Sequence, residues 1–358
     1  MGVSRRMLGV VAGTALTVLA AWGTAGSALG FVAPVTAGPP KPPGVAHLEF
    51  DGFFPASTEI HVGDKVRWSI NGFHTVTFLA KGQSQPPLII TSAANPISGQ
   101  LDASGKPFWF NGQPSQIINP EAAAPAGAKT YKGGTFLNSG LPGGEGPPKP
   151  FVVKFTKAGT YTFHCLVHPG MSGVVKVLPK RKYIPTLKKD LKAAALQLKA
   201  GILKARALAK VQPPTATVLA GNDSGAVAWL RFFPSSLTVK AGTSVEFKIA
   251  SKREVHTITF GPAAYTGGIE KTFTAPIKGA TAGPPTIGVN PLGGYPSDPP
   301  PLPPFTGANH GNGFEGSGIL ALGGPLPSST KITFTKPGVY NFECVVHENM
   351  DGKITVTP

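Results

Sequence analysis

Two short segments of the chain carry the same potential metal ligands at the same spacing. Each segment reads Cys-x2-His-x2-Met, and each copy has one further histidine upstream. The chain has only two cysteines among its 358 residues, which excludes a disulfide framework or a four-thiolate zinc site. The two candidate ligand sets are His74, Cys165, His168 and Met171, and His256, Cys344, His347 and Met350.

One thiolate, two imidazoles and a weak axial thioether are the donors that a blue-copper electron-transfer site requires. A soft thiolate binds copper in both oxidation states. Two imidazoles complete a trigonal plane that suits both states, so that electron transfer causes little rearrangement. A single buried cysteine or methionine is more often part of an apolar core. The same four residue types in the same register twice favour metal ligation instead.

The elements that must position these residues occur twice in the chain. Residues 153–179 align with residues 332–358 without a gap, and 13 of the 27 positions are identical. Further upstream, His-Thr-Val-Thr-Phe from His74 matches His-Thr-Ile-Thr-Phe from His256 at an offset three residues larger. The second copy therefore has three extra residues in the loop before its histidine. Repetition at this length predicts two domains with one common fold.

Each copy has the pattern of an all-β domain. Short runs rich in Val, Phe, Tyr and Thr, bounded by Gly, Pro, Asp or Asn, predict β-strands. Several such strands with turn signals between them predict a sandwich. The predicted strands are 65–70, 75–79, 151–155 and 160–165 in the first copy, and 245–249, 257–260, 331–334 and 339–344 in the second.

A long insertion separates the histidine strand from the cysteine strand in each copy. The first covers about residues 81–149, and the second covers 261–327, where 28 of 67 residues are Gly or Pro. This composition predicts irregular structure rather than more sheet. Related patches at 136–140 and 314–318 imply some common order.

The segment between the copies has a different composition. Residues 180–210 hold ten Lys or Arg and one acidic residue, Asp190. Apolar residues recur at steps of three and four, which predicts a helix over 187–210. It is interpreted either as a solvated helix that holds the domains apart or as a docking surface for an acidic partner. A single aromatic residue, Tyr183, disfavours nucleic-acid binding.

The N-terminus is typical of an export signal. Arg5 and Arg6 precede an uncharged stretch of 16 residues, and small residues that suit cleavage follow, for instance Ala28 or Ala37. The paired arginines match a twin-arginine signal only in part, so ordinary secretion stays open. An uncleaved membrane anchor also stays open, because no charged residue follows the arginines before Pro40. We expect an exported protein of the periplasm, cell envelope or extracellular space, either soluble or peripherally bound to the membrane.

The ligand segments resemble the cupredoxin family, the plastocyanin and amicyanin type of blue copper protein. The short Cys-x2-His-x2-Met loop is similar to the loop of amicyanin. Residues 159–165 and 338–344 are similar to the strand that leads into that family's ligand loop. The resemblance covers about residues 45–80, 150–179, 227–260 and 328–358, and leaves out the insertions and the basic segment.

This resemblance implies two Greek-key β-sandwich domains, each with one type 1 copper bound by the ligand set of its own copy. It also implies that His168 and His347 form exposed edges through which electrons leave. The second loop has Glu348-Asn349 where the first has Pro169-Gly170, so the two reduction potentials are expected to differ. The expected divisions are an export signal 1–37, a domain 38–179, a helical linker 180–213 and a domain 214–358.

The expected function is one-electron transfer between redox proteins of the cell envelope, without an enzymatic reaction. Copper storage or delivery stays open, as does a copper-dependent oxidoreductase of the nitrite reductase or oxidase type. Such an enzyme needs further imidazoles, and the chain has no His-x-His pair. His164 precedes Cys165, where these enzymes place a ligand to the catalytic copper, but the second copy has Glu343 there. The other remaining histidines, His47, His61 and His310, are expected on the surface.

Overall fold

The regular elements of the first half of the chain are almost all short strands. The computed structural model describes residues 30–41, 45–143, 148–276 and 286–358. The elements up to residue 178 are β1 (Val32–Ala37), β2 (Leu48–Glu49), β3 (Phe53–Phe54), β4 (Ser57–His61), β5 (Lys65–Ile70), β6 (Thr77–Phe78), β7 (Ile89–Ser92), β8 (Ser115–Ile118), α1 (Pro120–Ala123), β9 (Thr130–Tyr131), β10 (Leu137–Asn138), β11 (Phe151–Phe155), β12 (Gly159–His164) and β13 (Ser172–Leu178).

The second half begins with a long helix and then repeats the strand pattern. Its elements are α2 (Leu187–Leu208), β14 (Thr217–Ser224), β15 (Val227–Phe233), β16 (Ser236–Lys240), β17 (Ser244–Ile249), β18 (Thr259–Phe260), α3 (Ala263–Lys271), β19 (Thr274–Pro276), β20 (Ile287–Val289), α4 (Pro291–Gly294), a 3-10 turn (Asn309–Gly311), β21 (Glu315–Gly316), β22 (Ser329–Thr333), β23 (Gly338–Glu343) and β24 (Asp351–Thr357).

In domain 1 two five-stranded sheets pack face to face, with strand orders β3-β1-β5-β11-β9 and β10-β6-β12-β13-β4. Alternate residues of β5 point between the sheets, so that Val66, Trp68 and Ile70 are buried. Phe163 of β12 packs edge-on against Trp68, with ring centroids 5.2 Å apart, and this contact joins the two sheets. The predicted all-β sandwich is confirmed.

Domain 2 repeats this architecture, with strand orders β2-β15-β14-β17-β22 and β16-β24-β23-β18-β21. Phe247 and Phe342 make the equivalent central contact, with ring centroids 5.3 Å apart. The edge strand β2 comes from the first copy: Leu48 pairs with Trp229 and Glu49 with Ala228 of β15. A segment of the first copy therefore completes a sheet of the second domain.

Strand β1 lies within the segment assigned to the export signal. It runs parallel to β5 and buries Ala33, Val35 and Ala37 in the core. The sandwich therefore begins by residue 32, earlier than the expected boundary at residue 38. Residues 1–29, with the rest of the predicted signal, lie outside the described ranges. Within those ranges no helix is both long and apolar enough to cross a membrane.

The two insertions form one common substructure, so the expectation of irregular structure rather than sheet is wrong. Strands from both insertions make a four-stranded sheet in the order β19-β20-β8-β7. Phe110 and Ile118 of the first insertion share an apolar cluster with Ile269 and Phe314 of the second. Burial of these side chains stabilises the contact between the domains, because neither insertion can cover its apolar surface alone.

The basic linker forms α2, as its apolar stripe predicts, but it is not a solvated spacer. Asp190 accepts a hydrogen bond from the hydroxyl of Thr58 in domain 1 at 3.1 Å. The carbonyl of Ala205 accepts one from the indole of Trp229 in domain 2 at 2.8 Å. At Gly201 an added Cβ would lie 3.0 Å from the nearest side chain, so the glycine permits this close approach. The exposed side of α2 carries Lys188, Lys189, Lys192, Lys199, Lys204 and Arg206.

A buried glutamate beside the shared insertion sheet makes stability depend on pH. Glu315 is fully buried, and its Oε2 accepts a hydrogen bond from Asn309 at 2.6 Å. Burial, and then the charge of Asp298, raise the pKa of Glu315 from 4.5 to about 8 in spite of that bond. The folded chain therefore binds this proton more tightly than the unfolded chain does. The free energy of unfolding must fall as pH rises from about 4.5 to about 8.

We predict that Glu315→Gln removes this part of the pH dependence. The variant should match the wild type near pH 5 and become more stable than it by roughly 3–4 kcal/mol at pH 8. Urea unfolding of the metal-free protein across this range measures the difference. The control Glu246→Gln, on the partly exposed face of β17, should keep the wild-type slope. An unchanged slope in Glu315→Gln would contradict the prediction.

Candidate metal centres

The first ligand set is assembled by the tight loop between β12 and β13. The backbone N–H of Cys165 donates to the carbonyl of Met171 at 2.9 Å, and that of Met171 donates to the carbonyl of His168 at 3.1 Å. Strand β6 neighbours β12 in the same sheet. The residue His74, three positions before β6, therefore reaches the same end of the sandwich.

The donor atoms of this first set converge. Nδ1 of His168 lies 3.6 Å from Sγ of Cys165, and Nδ1 of His74 lies 3.9 Å from it. All three atoms lie within 4.8 Å of one another, as expected of ligands that share one small metal ion. Met171 is buried in the same core cluster as Cys165.

The second ligand set repeats this arrangement. Sγ of Cys344 lies 3.7 Å from Nδ1 of His256 and 3.6 Å from Nδ1 of His347. The backbone N–H of Cys344 donates to the carbonyl of Met350 at 2.9 Å, and both residues are buried. The fold thus brings together both predicted sets, while their binding of a metal ion stays a prediction.

The thiols are prepared to act as thiolates. Burial alone would raise the pKa of Cys165, but hydrogen bonds with His168 and His74, and then the charges of these imidazoles, hold it well below its ordinary value. The same balance lowers the pKa of Cys344. Because thiolates are the metal-binding form of cysteine, the buried pairing of thiolate with two imidazoles fits a copper ion.

The two sites face each other across one carboxylate, that of Glu254. Its Oε1 lies 3.1 Å from Nε2 of His168, and its Oε2 lies 3.3 Å from Nε2 of His347. Each imidazole therefore directs Nδ1 at its own cysteine and Nε2 at Glu254. The expected exposed edges are wrong, because His168 and His347 are only 3% and 14% exposed. The fold turns these two edges towards each other.

The electrostatics of this junction favour an ionised Glu254 next to a neutral Asp51. Burial alone would raise the pKa of Glu254, but the charge of His168 and hydrogen bonds with both imidazoles hold it well below its ordinary value. Burial, and then the charge of Glu254, raise the pKa of Asp51 well above its ordinary value. Burial would lower the pKa of His347, yet hydrogen bonds with Cys344 and Glu254 raise it to about 10.

Reasoning from sequence missed Glu254, although one signal pointed to its position. The second copy has three extra residues in the loop before its histidine. In the structure this loop lies between β17 and His256 and carries Glu254 to the junction of the domains. The length difference therefore marks a structural difference between the copies, since only the longer loop supplies a carboxylate to the junction.

All four remaining histidines lie outside the metal-ligand groups found among the described residues. His164 is half-buried on β12, and its burial lowers its pKa. His47 and His61 are partly exposed. The Nε2 of His61 contacts the carbonyl of Lys182 at 2.8 Å.

The fourth, His310, is not the surface residue that was expected. Its Nδ1 lies 3.3 Å from Asp102 of the first insertion, and its Nε2 lies 2.9 Å from Asp298 of the second. A hydrogen bond with Asp298 raises the pKa of His310 despite the opposing effect of burial. The imidazole therefore connects the two insertions rather than binding a metal.

A glycine supports the upstream histidine of each site. Gly38 has φ +60°, and an added Cβ there would lie 2.2 Å from Nε2 of His74. Gly221 has φ +67°, and an added Cβ would lie 2.3 Å from Nε2 of His256. The matching segments Val-Thr-Ala-Gly at 35–38 and Val-Leu-Ala-Gly at 218–221 could have revealed this part of the repeat.

We predict that Gly38→Ala weakens metal binding at the first site at least tenfold and leaves the second unchanged, because the new methyl group displaces His74. Gly221→Ala should have the reverse effect. Titration of the metal-free protein with Co(II), followed by its thiolate absorption, measures both sites. The controls Gly63→Ala and Gly242→Ala carry similar positive-φ strain, with nothing within 4 Å of the added Cβ. If the first and second sites of Gly38→Ala bound Co(II) with equal affinity, the glycine would not be needed to position His74.

Many solved structures are similar to this chain, among them the following three. The chain is similar to plastocyanin from Dryopteris crassirhizoma, with 22% identity and a TM-score of 0.22 over 39% of this chain and 99% of that chain. It is similar to a point variant of amicyanin in the Cu(I) state (17% identity, TM-score 0.21, 41% and 82% covered). It is also similar to a purple cupredoxin from Nitrosopumilus maritimus (17% identity, TM-score 0.20, 39% and 98% covered).

No family model and no curated protein matches the chain. The fold is therefore assigned from the molecule's own architecture. Each half pairs two five-stranded sheets around one core, and a loop between neighbouring strands brings a cysteine and a histidine beside a second, upstream histidine. Both halves of this chain have the cupredoxin fold.

Proposed function

We propose that this chain is an exported blue copper protein that carries single electrons between redox proteins of the cell envelope. The observation that carries the proposal is the convergence, in both domains, of a buried thiolate with two imidazole nitrogens. Copper, when bound, supplies one-electron redox chemistry at each site. The proposed ligands are His74, Cys165, His168 and Met171, and His256, Cys344, His347 and Met350.

The protein's own residues supply rigidity and a dry environment. Backbone hydrogen bonds fix the short ligand loops, and a core of aromatic side chains surrounds each cysteine, as Phe163 and Trp68 do in domain 1. Water is kept from the ligands, and the ligand positions are set before any ion binds. Both features favour electron transfer with little rearrangement.

The exposed face of α2 supports a proposal about partners. Its lysines and arginine form a basic surface that also carries the exposed Leu196 and Leu203, and basic side chains of this kind attract acidic proteins over a long range. We propose acidic redox proteins as partners. Such binding should weaken as ionic strength rises, because salt screens exposed charges.

A second candidate function is a copper-dependent oxidoreductase. It is favoured by the group formed by Asp51, His168 and Glu254, whose potential ligand atoms lie within 4.8 Å of one another. An enzyme of this class needs an additional, non-blue copper. Electron paramagnetic resonance of the loaded protein distinguishes the two functions, since a carrier has only type 1 signals.

We predict that reconstitution with Cu(II) gives an intense thiolate-to-copper absorption band that saturates at two copper ions per chain and is bleached and restored reversibly. Cys165→Ser should remove about half of this band, because one thiolate of two is lost. The matched variant Cys344→Ser should remove the other half. Copper that binds without a blue band, or that is released on each reduction, would contradict the proposed function.

We predict that the first site has the more positive reduction potential. Backbone N–H groups of Thr75 and Val167 each lie 3.4 Å from Sγ of Cys165. In the described part of domain 2, Thr257 alone makes such a contact with Cys344, also at 3.4 Å. Donors to the sulfur withdraw electron density from the thiolate and favour Cu(I).

The exposed Glu348 should also lower the reduction potential of the second site relative to the first, because a negative charge beside that site favours Cu(II). Spectroelectrochemical titration of Cys344→Ser and Cys165→Ser measures each site alone. Glu348→Gln should narrow the difference between the two potentials. A more positive potential at the second site would refute the prediction.

A further inference from the structure

We propose that Glu254 couples the two metal sites, so that an electron passes between them within one chain through His168, Glu254 and His347. This inference rests on the proposed function, because it presupposes a redox-active ion at each site. It goes beyond that function by making the protein a two-electron unit with an internal path. The path lies in the contact between the domains.

The geometry of the contacts carries the proposal. Each oxygen of Glu254 faces one imidazole, at 3.1 Å to His168 and 3.3 Å to His347. Each of these imidazoles also lies 3.6 Å from the sulfur of its own site. Two close contacts to one carboxylate thus connect the ligands of both sites, and no other side chain needs to intervene.

The position of Glu254 is held from both sides of its loop. Oδ2 of Asp223 accepts hydrogen bonds from the Ser251 hydroxyl at 2.9 Å and from the Arg253 backbone at 2.8 Å. The Ser251 hydroxyl in turn accepts one from the backbone of Glu254 at 3.0 Å. The guanidinium of Arg253 donates to the carbonyl of Asp51 in domain 1 at 3.1 Å. A residue of domain 2 is thereby fixed against domain 1.

The surroundings favour transfer with little rearrangement. Glu254 is 7% exposed and Asp51 is fully buried, so the junction excludes bulk water. Interactions between charges are stronger in such an environment than in water. Strand β2, helix α2 and the shared insertion sheet all cross between the domains, so the distance between the sites is fixed by the fold.

The step itself is a single electron exchange. One electron leaves the reduced second site, which becomes oxidised, and enters the oxidised first site, which becomes reduced. No bond is formed or broken, and Glu254 stays in contact with both imidazoles throughout. The predicted order of the two potentials gives this direction.

The test uses the full chain loaded with two copper ions. A pulse of radiolytically generated reductant delivers less than one electron per chain, and absorption then follows redistribution between the sites. The spectra of Cys165→Ser and Cys344→Ser identify each site. We expect a redistribution rate that is independent of protein concentration and that falls at least tenfold in Glu254→Gln, because an amide cannot accept a hydrogen bond from both imidazoles. The control Glu246→Gln, on the partly exposed face of β17, should keep the wild-type rate.

A second measurement avoids redox chemistry. In the zinc-loaded protein, nuclear magnetic resonance should show slowly exchanging Nε2–H protons on His168 and His347, and at least one should exchange rapidly in Glu254→Gln. If that variant does not fold, Glu254→Asp replaces it with the same expectations, since its shorter side chain cannot reach both rings.

Three results would overturn the inference: an unchanged rate in Glu254→Gln, a wild-type rate proportional to protein concentration, or rapid exchange of both imidazole protons in the wild type. A third copper ion that is lost in Asp51→Asn would also overturn it, because Glu254 would then bind metal rather than bridge ligands. Failure of the proposed function looks different, since the single-site variants would then lack reversible blue absorption.

Discussion

The structure depends on the pairing of one buried carboxylate with two imidazoles. An isolated ionised glutamate would be very unfavourable at this depth, and Glu254 is tolerated because Nε2 atoms of His168 and His347 lie 3.1 and 3.3 Å from its two oxygens. Each ring can make this contact only when its other nitrogen points to the cysteine of its own site. The contact between the domains and the orientation of one ligand in each site are therefore fixed by the same interaction.

Much of the fold and of the ligand sets could be predicted from sequence, because both depend on local patterns that occur twice. Strands β5 and β11 lie where alternation placed them, and α2 begins at Leu187 as its apolar stripe predicts. The two sets of cysteine, histidine and methionine have a spacing that a tight loop must bring together. Repetition made these signals stronger than they would be in either copy alone.

The features that could not be predicted are those that form between the copies. The shared insertion sheet pairs β20 with β8, which are more than 160 residues apart in the chain, and its Gly- and Pro-rich strands lack clear alternation. No sequence spacing predicts the contacts of Glu254, because its two partners, His168 and His347, belong to two different loops. The exposed edges implied by resemblance to single sandwiches were wrong because a second sandwich covers them here.

The contribution of β2 by the first copy to a sheet of the second makes the second copy structurally dependent on the first. A tandem repeat begins as two modules that can be separated, but Leu48 and Glu49 now complete a sheet in the other copy. The first half gives one of its strands to the second, so a cut between them would leave the second domain's sheet with an open edge at β15. The second domain therefore depends on the first for a complete sheet, and the two halves are no longer independent structural modules.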